Sequence, residues 1–132
     1  MQESRLKSVP LFAGLNKRER AALAARTDEI DVPEGKQLAR EGEFAYEFFV
    51  ITDGTAEVTR GDQHLADLGP GDFFGEMGIL GAERRNATVT ARSPMDVIVM
   101  TEQALRSLKR EEPEFARRLE AAMEERLAAN RG

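Results

Sequence analysis

The sequence contains no cysteine and no tryptophan, and it has one histidine and one tyrosine. Without cysteine there is no disulfide, thiol nucleophile, iron–sulfur cluster or thiolate metal site. The absence fits a reducing compartment. The single histidine, His64, cannot supply a multi-histidine metal centre. No Ser-His-Asp relay can be assembled around it. It follows the turn signal Gly61-Asp62 and reads as a surface residue of a strand or turn. No apolar run approaches the roughly 20 residues that cross a bilayer as a helix. Residues 1–20 carry Arg5, Lys7, Lys17 and Arg18 but no continuous apolar core, so no secretory signal is evident. A cytoplasmic location is therefore expected, with no membrane partner. A basic excess is missing too: the net charge is −5. Nucleic-acid binding by this chain alone is not expected, because phosphate backbones call for a basic face. There is no internal repeat and no low-complexity linker.

What remains is a chain of 132 residues, enough for one domain with a modest core. Its texture changes twice. Residues 1–27 read as helical: a short helix over 3–8, an apolar cluster of Val9, Leu11, Phe12 and Leu15, then a helix opened by Asn16. Glu19, three residues on, makes a capping box with Asn16, and Ala21 to Ala25 favour the helix. Residues 28–101 read as short strands between glycine turns. Ile30 and Val32 alternate, Leu38 lies in a short strand, and Tyr46 to Thr52 is an aromatic and β-branched run. Asp53-Gly54 reads as a hairpin turn, and at Gly61-Asp62 the chain turns again. Gly69-Pro70-Gly71-Asp72 is a strong breaker. Ala87, Val89 and Ala91 alternate with Thr88, Thr90 and Arg92, and Met95 to Met100 forms the last strand. Strands of this length and spacing indicate a β-barrel or jelly roll. Residues 102–132 return to helix, with Pro113 tolerated at a first helical position. Phe115, Leu119, Met123 and Leu127 recur at i, i+4 and make one apolar stripe. The stripe packs either on the chain's own barrel or on a second copy or other partner. Ala128 to Gly132 are expected to fray.

One stretch carries chemistry. Phe73-Phe74-Gly75-Glu76-Met77-Gly78 starts as a strand, breaks at Gly75 and continues with apolar residues sufficient for one or two helical turns. A loop to Arg85 follows, then a strand over Asn86 to Thr90. A short helix between two strands offers free backbone N–H groups that attract an anion. Gly75 and Gly78 would let the backbone approach a ligand closely. The Arg85 guanidinium can fork onto two phosphate oxygens. Glu76, acceptor-only when ionised, suits a hydroxyl donor. Taken singly, Glu76 is a first-turn helix acid, Arg85 a solvated loop charge, and the glycines turn residues. Taken together, they would hold a small anion that also carries a sugar hydroxyl.

Phe74-Gly75-Glu76 and Arg85-Asn86-Ala87-Thr88-Val89, with eight residues between Glu76 and Arg85, closely resemble the phosphate-binding cassette of the cyclic nucleotide-binding domain family. Pro33-x-Gly35, Glu41-Gly42-Glu43, Gly54 and Gly69-Pro70-Gly71-Asp72 fall where that family places its turn glycines, so the resemblance covers nearly the whole chain. It implies a mainly β fold, a double-stranded β-helix jelly roll, with N-terminal helices and two C-terminal helices in one domain over 1–132. The cassette would span 73–89. The resemblance implies a non-catalytic sensor with no cofactor. Its ligand would be cAMP or, alternatively, cGMP. Glu76 would take the ribose 2′-hydroxyl and Arg85 the exocyclic phosphate oxygens. N–H groups near Met77, Gly78, Asn86 and Ala87 would complete a cradle that also includes Phe74, Gly75 and Thr88. Asn86 matches neither residue that the family associates with a particular base. Movement of the C-terminal helices would be the output, and the partner a second copy or another protein on the last helix. Bacterial members often continue into a helix-turn-helix; this chain is expected to act without a DNA-binding domain. A cupin-like metal enzyme needs several histidines. An interaction module that has lost its ligand would not need both Glu76 and Arg85.

Overall fold

The computed structural model describes residues 3–43, 47–75, 85 and 87–131. Two compact units emerge, Met1–Thr27 with Gln103–Gly132, and Asp28–Glu102.

The helical unit begins with 3-10 turns at Glu3–Ser8 and Pro10–Phe12, followed by α1 over Lys17–Ala24. The capping box forms as expected. Asn16 Oδ1 accepts from the Glu19 N–H at 2.8 Å, and the Asn16 N–H donates to Glu19 Oε1 at 3.1 Å. These bonds satisfy N–H groups that the first turn would otherwise leave without partners. From the C-terminal part, α2 covers Glu102–Glu111 and α3 covers Pro113–Arg131. Pro113 opens α3, where its missing N–H is harmless. The helix continues through residues expected to fray. Leu6, Phe12, Leu23, Leu105 and Leu108 are almost fully buried. So are Phe115 and Leu119, so the first half of the apolar stripe lies inside the chain. The side chains of Met123 and Leu127 lie outside the described residues. Glu19 is only 4% exposed, and its second oxygen accepts from Arg118 of α3. Arg26 pairs with Glu111, and Arg18 Nη1 lies 2.5 Å from Glu112 Oε1. Both flank the α2–α3 joint.

Among the described residues the β unit holds eight strands: β1 (Asp28–Val32), β2 (Gln37–Ala39), β3 (Glu47–Asp53), β4 (Ala56–Arg60), β5 (Gln63–Leu68), β6 (Phe73–Phe74), β7 (Thr88–Ala91) and β8 (Met95–Thr101). They form two four-stranded sheets, β1-β8-β3-β6 and β2-β7-β4-β5, and every pairing is antiparallel. Phe49, Ile51 and Val97 of the first sheet join Ala56, Val89 and Ala91 of the second in one apolar cluster. Burying side chains of the larger kind contributes about 1.5–3 kcal/mol each. This is the jelly-roll arrangement expected from the strand spacing.

One turn is not what its residues suggest. Asp53-Gly54 joins β3 to β4, but these strands belong to different sheets, so the turn is a crossing and not a hairpin. Gly54 has φ +90°, and a Cβ there would lie 2.4 Å from the Pro94 carbonyl oxygen. The tight fit against the β7–β8 turn sends the chain from one sheet to the other. Gly61-Asp62 does close a true hairpin, β4–β5. Ile30 alternates with Val32 but remains 40% exposed, because β1 is an edge strand.

Register also aligns three acids. Asp31 on β1 and Asp53 on β3 both lie opposite Asp96 on β8. Like charges directly opposite one another weaken a sheet. A hydrogen bond with Asp31 first, then burial, then the charges of Asp31, Glu29 and Asp53, hold the Asp96 carboxyl above its ordinary 3.8. A raised folded-state pKa gives stability that is present below the ordinary value and lost as pH rises through the folded one. Asp96→Asn should therefore melt higher than wild type near neutral pH. The gap should shrink as pH falls toward about 4, followed by circular dichroism. In the helical unit, Glu19→Ala should lower the unfolding free energy in urea by about 1–2 kcal/mol. Glu19→Gln can still close the capping box and should lower it less.

Candidate functional site

Strand β6 is two residues long, and its placement is set by aromatic contacts. Phe74 lies opposite Phe49 and Phe73 opposite Val50. The Phe49 and Phe74 rings stack with centroids 4.9 Å apart, and Phe48 and Phe73 meet at 5.5 Å on the other face. Such pairs add about 0.5–1.5 kcal/mol beyond the area they bury. Phe74 is thus a core residue that anchors the cassette's start. Immediately after it the chain breaks at Gly75, with φ +89°, a left-handed conformation that glycine adopts without strain.

Arg85 is held at both ends. Its main chain exchanges two hydrogen bonds with the Glu41-Gly42-Glu43 turn. The Gly42 N–H donates to the Arg85 carbonyl at 2.8 Å, and the Arg85 N–H donates to the Glu43 carbonyl at 2.7 Å. Its guanidinium reaches back to β3, where Nη2 donates to the Glu47 carbonyl oxygen at 2.8 Å. The 41–43 turn is itself tied down. The Glu41 N–H donates to Thr88 Oγ1 at 3.1 Å, and Glu41 Oε1 accepts from the Gly61 N–H at 2.7 Å. Thr88 pairs with Thr59 at the start of β7, and Ala87 precedes it in a bend.

The structure therefore brings Phe74, Gly75 and Arg85 together, and it places Ala87 and Thr88 just beyond Arg85. Glu76, Met77, Gly78 and Asn86 lie outside the described residues. Two participants were missed in the sequence. Glu47 enters through its backbone carbonyl, which no side-chain pattern reveals. The 41–43 turn was legible only as a turn, although its glycine and its two acids could have marked it as a brace.

His64 and Arg92 are taken up by one carboxylate. His64 Nδ1 lies 2.7 Å from Glu57 Oε2, and Arg92 donates to the other oxygen of the same carboxylate. Arg92 first, then His64, holds the Glu57 carboxyl below the ordinary carboxylate range. An open cleft of about 390 Å³ lies at the Asp53 end of β3, opposite the Glu47 end, and is rimmed by Asp31, Asp53 and Asp96. Its acids repel a phosphate, whereas Arg85 attracts one. Among the described residues no group of three or more His, Asp or Glu side chains could hold a metal ion, and no helix is long and apolar enough to cross a membrane.

Comparison with known proteins leads to the same place. The cyclic nucleotide-binding domain family model matches residues 29–112. The cAMP-dependent protein kinase regulatory subunit of Mycosarcoma maydis is 34% identical over 82% of this chain, and the chain spans 22% of that protein's length. The N-terminal domain of a transcriptional regulator from Streptomyces coelicolor A3(2) superposes with a TM-score of 0.80 at 28% identity, covering 96% of this chain and 94% of that one. The regulatory domain of Toxoplasma gondii PKA, crystallised with cAMP, superposes with a TM-score of 0.75 at 26% identity, covering 93% of this chain and 48% of that one. With a two-sheet jelly roll, a matching family model and an arginine braced at the break after β6, the chain belongs to the cyclic nucleotide-binding domain family.

Proposed function

We propose that the chain, as one domain over residues 1–132, is a cytoplasmic sensor that takes up cAMP at the 73–89 cassette. The observation that carries this reading is Arg85, whose main chain is pinned and whose guanidinium is already docked at the break after β6. A guanidinium offers five N–H donors in one plane. A cyclic phosphate needs two donors for its exocyclic oxygens, and the planar fork of Arg85 matches that geometry. Glu76, next after Gly75 in the chain, accepts the ribose 2′-hydroxyl, and the Met77, Gly78, Asn86 and Ala87 N–H groups close the cradle. The choice of cAMP over cGMP rests on the relatives: the Mycosarcoma maydis subunit is that of a cAMP-dependent kinase, and the Toxoplasma domain was crystallised with cAMP. Asn86 can both donate and accept, and it selects neither base.

Binding is coupled to the helices over 101–130, which shift when the cassette closes; coupling of this kind is reciprocal. A second copy or another protein would then read the far half of α3, since Phe115 and Leu119 are already buried within the chain.

Titration calorimetry with cAMP, cGMP and 5′-AMP tests the ligand. One cyclic nucleotide should bind at micromolar strength or better. Arg85→Ala should lose at least about a hundredfold, the order expected from two charge-assisted hydrogen bonds. No heat with any of the three would reject the sensor reading. Hydrogen exchange tests the output: protection over residues 101–130 should change at saturation, and unchanged protection would reject coupled movement.

A further inference from the structure

Gly75 has an ordinary explanation, a left-handed turn, but its surroundings ask for more. A Cβ at this position would lie 2.3 Å from Arg85 Nη1, 3.2 Å from Arg85 Cζ and 2.6 Å from the Glu47 carbonyl oxygen. They belong to the guanidinium and the carbonyl joined by one hydrogen bond, which Arg85 Nη2 donates to the Glu47 oxygen. The contrast with other turn glycines is direct. Gly35, Gly42 and Gly61 also have positive φ, yet a Cβ at any of them would meet nothing within 4 Å. They need glycine for conformation alone. Gly54 is crowded, but against the Pro94 backbone and Met95 of a turn. Gly75 is crowded against the side chain that the proposed function depends on.

The acceptor is equally well placed. Strand β6 pairs with β3 only as far as Phe74 opposite Phe49, so the Glu47 carbonyl lies beyond the last pair and takes its donor from Arg85. Glu47 is opposite Thr101 on β8, so its backbone belongs to the sheet. We propose that Gly75 is a positioning residue for Arg85. The side chain it lacks is the slot through which the guanidinium reaches Glu47, and the slot orients the arginine before any ligand arrives. Sequence reading gave the glycine to the ligand's approach; the geometry gives it to the arginine. A long side chain fixed beforehand has less rotamer freedom to lose on binding, which strengthens the complex without adding a contact.

This inference rests on the cassette reading for its consequence, but its first test does not need a ligand. In the ligand-free full chain, nitrogen-15 spectra of the arginine side chains, with Arg85 assigned by its absence in Arg85→Lys, should show separate Nη signals and hindered rotation for Arg85. Gly75→Ala should average those signals. In the same variant cAMP affinity should fall about tenfold or more, as loss of preorganisation and a misplaced fork would require. A freely rotating Arg85 in the wild type, or hindered rotation that survives Gly75→Ala, would overturn the proposal. If the variant does not fold, the wild-type spectrum decides alone. Hindered rotation lost in Gly75→Ala, with no cAMP binding by the wild type, would leave the positioning role standing and reject the ligand.

Discussion

The stacked rings of Phe49 and Phe74 set the one distance on which the site depends. They fix where β6 lies along β3 and therefore where the chain must turn away. Because β6 has only two residues, its backbone pairing with β3 is slight, and the aromatic contacts on both faces hold it. Gly75 follows at once, and the guanidinium of a residue ten positions later closes on β3 beside it. Arg85 is held on both sides, its guanidinium by a backbone carbonyl of β3 and its main chain by the 41–43 turn.

Charge is distributed to match. The chain is acidic overall, and the β unit gathers three aspartates at the Asp53 end of β3. Arg85 is at the opposite end. An anion approaching the barrel is therefore repelled at one end and attracted at the other, through fields that salt weakens but does not reverse. The acidic row weakens the barrel at neutral pH, so it is a liability to the fold that the apolar core must outweigh.

Much of this was legible in the residues, and what was not has a common cause. The Asn16–Glu19 capping box, the turn at Gly61, the break at Gly75 and the start of α3 at Pro113 are decided within a few positions, where sequence and structure share the same information. The crossing at Asp53-Gly54 is not, because a left-handed glycine reports that the chain turns and not which strand it turns toward. The aspartate row needs the register of three strands, two of them more than forty positions from the third. Glu47 was invisible because every residue has a carbonyl, and only the fold says which one an arginine finds. Of the cassette, the anchor and the arginine could be seen in the sequence and are placed by the structure, whereas the roles of Glu76, Met77, Gly78 and Asn86 rest on resemblance and are part of the proposal.

The strand order has a consequence for how the molecule comes into being. Among the pairings, only β4 with β5 joins neighbours in the chain. The first sheet is stitched by β8, which lies between β1 and β3, and the second by β7, which lies between β2 and β4. A nascent chain emerging from the ribosome would therefore carry β1 and β2 without partners, and β3 paired only with the two residues of β6, until residues 88–101 appear. The sheets then have to zip nearly together, with the entropy of long loop closure met late. Until that moment β3, whose Phe48–Ile51 run is buried in the finished fold, is covered only by the two residues of β6, so the interval between its synthesis and that of β8 is the period in which this chain is most exposed to aggregation.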